Sequence, residues 1–121
     1  MDMTQFRFAH HKLLAYQVAS EMADLVRPLA SRFGRGHREL ADQLRRSADA
    51  TVALVGEGAN RYYPKQKRQR FAEARGEAGE VACHIERALS YGLVSEPEAL
   101  AVLERADRAC AMLTGLIKRH S

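Results

Sequence analysis

No apolar run in the 121-residue chain approaches the roughly 20 residues that cross a bilayer. Its start, MDMTQFRFAHH, lacks the apolar core of a secretory signal, so a cytoplasmic location is expected, with no membrane partner. Cysteine is scarce. Cys83 and Cys110 stand apart without CxxC spacing, which argues against a disulfide framework or a cysteine metal site; both read as reduced core residues. Strand-like alternation is missing, and so is any internal repeat, low-complexity tract or linker long enough to mark a second domain. Hydrophobic residues at 46% and charged residues at 28% exclude wholesale disorder. One domain spanning 1–121 is expected, large enough for a core that buries roughly two-thirds of the unfolded surface.

Catalytic patterns are also missing. Gly56-Glu57-Gly58 is not a phosphate-binding loop, which needs GxxxxGK followed by Ser or Thr between a strand and a helix, and it is not GxGxxG. Glu57 has no identifiable acid–base partner, and no Ser-His-Asp or Cys-His arrangement stands out. His10 and His11 are adjacent on a helix start and diverge, as do Cys83 and His84, so neither pair makes a metal site. No catalytic residue, cofactor or metal is expected, and the chain reads as a non-enzyme.

What is present is helical period. Apolar residues recur at three- and four-residue steps in four segments, about 10–32, 37–58, 64–91 and 96–119. Pro28 falls near the end of the first segment, where it is expected to kink the last turn, and Phe33-Gly34-Arg35-Gly36 supplies a break. Gly56-Glu57-Gly58 is read as the stop of the second, and Pro64 opens the third. Gly92 ends the third as a C-cap, and Ser95-Glu96-Pro97-Glu98 has the hydroxyl, proline and acids of a helix start. Four amphipathic helices with short connections predict an all-α, antiparallel up-and-down four-helix bundle.

Charge is unevenly spread. Residues 27–70 carry eleven cations and four acids, whereas the flanking segments are slightly acidic, and fifteen of the nineteen cations are Arg. Arginine's planar fork suits phosphate. Arg45 and Arg46 precede the turn, while Arg61, Lys65, Lys67, Arg68 and Arg70 follow it with too few nearby acids to neutralise them. Tyr62 and Tyr63 flank this cluster and are candidates to stack on bases. Cations at a helix start oppose the helix dipole, a local cost that asks for a reason. For Arg45 and Arg46 two readings stand side by side: nucleic-acid contact, or salt bridges to Glu73, Glu77 and Glu80 of the third helix. Helix two, with Ala50, Val52, Ala53, Leu54 and Val55, is close to apolar all round, and Leu13 and Tyr16 widen the stripe on helix one. Such a surplus points to contact with another subunit.

Gln43-Leu44-Arg45-Arg46, the ungapped run to Glu57-Gly58, and Arg61 carry a resemblance. So do Phe71, Ala74, Gly76 and Glu80 on helix three and Tyr91-Gly92 at its end. On these residues the chain resembles the bacterial four-helix-bundle family encoded in intervening sequences of 23S ribosomal RNA genes. That family in turn looks related to the accessory variability determinant of diversity-generating retroelements. Ala50, Thr51, Val52 and Leu54 replace the family's Ser, Ile, Pro and Asn, and Glu77 replaces its helix-three Ser, which marks a divergent member. The resemblance implies a ring-like homopentamer without enzymatic activity. In the retroelement branch it implies a basic surface on nucleic acid and a reverse transcriptase partner. The functional expectation is an oligomeric bundle that binds RNA or DNA through Arg45, Arg46, Arg61, Lys65, Lys67, Arg68 and Arg70; the alternative is a protein-interaction scaffold that binds no nucleic acid.

Overall fold

A computed structural model describes Asp2, Met3 and residues 5–121. A short 3₁₀ turn, Ala9–Lys12, is followed by α1 (Leu14–Ala30), α2 (Arg38–Asn60), α3 (Pro64–Ser90) and α4 (Glu96–Arg119). Each helix packs on its sequence neighbours and α1 closes on α4, so the chain is an all-α, antiparallel four-helix bundle. No helix among the described residues is long and apolar enough to cross a membrane.

The helix ends follow local chemistry. At α4, the Ser95 hydroxyl accepts from the Glu98 N–H (3.2 Å) and the Glu98 carboxylate accepts from the Ser95 N–H (2.9 Å), a reciprocal cap. Gly92 takes φ 74° after α3; its N–H donates to Leu89 O (3.0 Å) and the Leu93 N–H donates to Ala88 O (2.9 Å), the paired bonds of a Schellman ending. Pro28 lies inside α1 two residues before its end.

Three sequence expectations are corrected. Residues 10–13 are not part of α1 but form the 3₁₀ turn and an extended Leu13. Gly56-Glu57-Gly58 does not stop α2, which runs on to Asn60. Cys83 is exposed and Cys110 half-buried; both are free thiols, but neither is a core residue.

The core divides in two along the bundle. Met22, Val26, Leu29, Phe33, Leu44, Val81, Ile85 and Val102 fill the half nearer the α1–α2 connection. Val55, Phe71, Ala74 and Leu113 fill the half nearer the α2–α3 turn. Small residues set the helix spacing in the second half. A Cβ on Gly58 would lie 2.6 Å from the Phe71 ring, so α2 and α3 meet there only because position 58 has no side chain. The surplus apolar residues of helix two are largely absorbed, since Val52 and Leu54, like Leu13 and Tyr16, are half-buried against this cluster.

Candidate nucleic-acid interface

Antiparallel packing brings the start of α1, the α2–α3 turn and the end of α4 to one end of the bundle. The seams are explicit. Asn60 Oδ1 accepts from the Ala9 N–H (3.2 Å), and Asn60 Nδ2 lies 2.7 Å from His10 Nδ1. The Arg68 guanidinium donates to the His120 carbonyl, and the Phe71 and His120 rings lie 6.0 Å apart.

The segments that meet here, 5–20, 52–73 and 110–121, hold nine cations and only two acids, Glu57 and Glu73. Both acids are taken by one side chain: Arg70 Nη1 lies 2.7 Å from Glu73, and its Nε lies 3.3 Å from Glu57 without hydrogen-bond alignment. The positive field is felt locally. His120 is pushed below the ordinary imidazole range, first by burial and then by Lys67, Arg119 and Arg68 around it.

The cations named from the sequence fall into different roles. Lys67 donates to Ala59 O (2.8 Å) and Gly58 O (3.3 Å), capping the C-terminal carbonyls of α2. This accounts for a cation at the start of α3, because the negative end of the neighbouring helix dipole offsets the cost at its own. Arg68 and Arg70 are half-buried and engaged as described. Arg61 and Lys65 are exposed, and among the described residues no hydrogen bond or ion pair reaches their side chains, nor those of Lys118 and Arg119. Tyr62 and Tyr63 are 86% and 61% exposed beside Arg61, with ring centroids 5.2 Å apart at 80°.

Arg45 and Arg46 are not brought to this end. They lie roughly 24 Å along α2 from Arg61 at 1.5 Å per residue. Arg45 pairs with Asp42 on its own helix (2.6 Å) rather than with the acids of α3. Arg46 does face α3, across a cavity of about 470 Å³ bordered by Glu77, Glu80 and His84. Glu77 is raised above the ordinary carboxyl range by burial and then by Glu80, with His84 opposing. Counting charge segment by segment does not single out Arg7, Lys12, Lys118 or Arg119; counting it by bundle end does.

The remaining glycine-flanked acid has a structural partner in Arg70. No group of three or more His, Cys, Asp or Glu side chains among the described residues is arranged to hold a metal ion. A comparison with curated proteins gave no match. Residues 11–115, most of the bundle, match the family model of the 23S rRNA-intervening sequence protein. The chain therefore belongs to the 23S rRNA-intervening sequence protein family.

Proposed function

We propose that this protein is a non-enzymatic bundle that binds nucleic acid, RNA or DNA, through its basic end and acts as an oligomer. The observation that carries this reading is the imbalance of nine cations against two acids, with both acids already held by Arg70. Cations in this number repel one another and favour a polyanion. Arg61, Lys65, Lys118 and Arg119 are among the exposed side chains free to reach phosphates, and the exposed Tyr62 and Tyr63 offer stacking faces next to Arg61. The family name ties such proteins to ribosomal RNA genes, in keeping with a role as accessory to an rRNA intervening sequence or, in the retroelement branch, to a reverse transcriptase.

Self-association is assigned to the α1–α4 edge. There a groove of about 290 Å³ is lined by Leu13, Leu14, Met112 and Leu116 together with Arg119, and Leu14 is 50% exposed. A ring of five would present five basic ends together and raise avidity without new contacts.

The test is titration of a structured RNA at two salt concentrations. Replacing Arg61, Lys65, Lys118 and Arg119 by Gln should weaken binding and flatten the dependence of log K on log salt by roughly 3 to 4. An unchanged slope refutes the assignment. These four positions are preferable to Lys67, Arg68 and Arg70, whose loss would disturb packing as well.

A further inference from the structure

Beside the free cations, between the 3₁₀ turn and the last turns of α2, lies an open groove of about 490 Å³. That is within the size range of small-ligand sites. Gly56 and Tyr16 line it; a Cβ added at Gly56 would make ordinary contact with the Tyr16 ring at 3.5 Å, so the two sides of the groove approach each other there and it opens away from that point, toward Ala53 and Arg61. The His10 ring stands 4.7 Å from that of Tyr16 by centroid. Glu57 and Arg61 form the solvent rim.

Asn60 also borders the groove, but its amide is committed. It accepts from the Ala9 N–H, donates to Gly56 O (2.9 Å) and contacts His10 Nδ1. These bonds fix the 3₁₀ turn and the His10 ring against α2, so the aromatic side of the groove is held in place before any ligand arrives.

The geometry points to this groove as the seat of one unpaired nucleobase from a single strand, an inference that rests on reading the basic end as a nucleic-acid surface. Unstacked bases are held by aromatic rings and guanidinium planes, and Tyr16 and Arg61 supply these around one opening, while the His10 ring, packed against Phe8, His11 and Tyr16, backs the Tyr16 ring. Arg61 also reaches the adjoining phosphate. A duplex keeps its bases stacked and uses only the cations, so the groove adds affinity for single strands alone.

The experiment uses the full chain and a 12-nucleotide RNA carrying one 2-aminopurine, as a single strand and as a duplex. Two aliphatic substitutions fill the groove without removing a cation or adding a ring on which a base could stack: Gly56→Leu, and Ala53→Leu from an exposed position. Stacking in the groove quenches the 2-aminopurine on binding to the unmodified protein. Each variant abolishes the quench and weakens single-strand binding by roughly 10- to 100-fold, the worth of one base stack, while duplex affinity stays within twofold. Helical circular dichroism establishes that each variant folds. If both folded variants bind and quench the single strand as the unmodified protein does, the groove is not a base site while the nucleic-acid reading stands. A changed subunit number in both variants by light scattering also overturns the inference, assigning the groove to a contact between copies. If the unmodified protein binds neither RNA at low salt, the broader reading fails and takes this one with it.

Discussion

Gly58→Ala places a methyl group where α2 meets α3, and its effect is the difference of two opposed terms. In a helix, Gly to Ala gains about 1 kcal/mol from propensity and unfolded-state entropy. Against that, the new Cβ would lie 2.6, 2.7 and 3.2 Å from three carbons of the Phe71 ring. The ring cannot simply swing away, because Phe71 is 1% exposed and packed among Val55, Ala74 and Leu113. Overpacking of this kind costs about 1–3 kcal/mol. The net expectation is a loss of about 1 kcal/mol, which for a chain of this length lowers Tm by about 3–6 °C. Gly76→Ala and Gly79→Ala are the controls: both glycines are in α3, and a Cβ at either meets nothing within 4 Å. They should raise Tm by a few degrees, leaving Gly58→Ala opposite in sign. Gly58→Ala combined with Phe71→Leu should recover part of the loss, a coupling that thermal melts of the single and double variants measure directly. If Gly58→Ala raises Tm as the controls do, the close approach at the turn is wrong.

At the opposite end, the Arg32 guanidinium grips Glu98 through two 2.9 Å bonds and, with the Ser95 N–H, holds its carboxyl down to about 2. A depressed carboxyl stabilises the fold above its unfolded value of 4.5, and that contribution is lost as pH falls toward 2. Urea midpoints between pH 5 and pH 2 should therefore fall less in Glu98→Gln than in the unmodified chain; parallel curves would exclude this linkage. Lys67→Gln should cost about 0.5–1 kcal/mol by uncapping α2, read as a lower urea midpoint, whereas Lys65→Gln should leave the midpoint unchanged. Leu14→Asp should reduce the subunit number in light scattering while the helical signal persists; an unaltered assembly would move the self-association surface elsewhere.

The ends of α3 and α4 were legible because their signals are local. Pro64, Gly92 and the Ser95–Glu98 pair each act within a few residues. The end of α2 was not, since two glycines and the approaching Pro64 argue for an early stop. Tertiary packing overrides that preference: as part of helix, Gly58 lets the Phe71 ring of α3 approach where any Cβ would collide with it. The basic cluster was visible as charge, but its division of labour was not. Whether Arg68 is free or bound depends on His120, 52 residues away, and whether Lys67 caps α2 depends on how the two helices dock. Lys118 and Arg119 join the site only through the antiparallel return of α4.

His120 would couple anion binding at the basic end, as proposed, to proton uptake. Lys67 and Arg68 press on it from α3 and Arg119 from α4, and together with burial they keep the imidazole neutral at pH values where a solvent-exposed one would be charged. An anion laid across those cations cancels part of their repulsion, and the imidazole's proton affinity then rises. Ligand uptake at mildly acidic pH would accordingly carry protons with it, so the heat of binding would change with the ionisation enthalpy of the buffer and affinity would climb as pH drops.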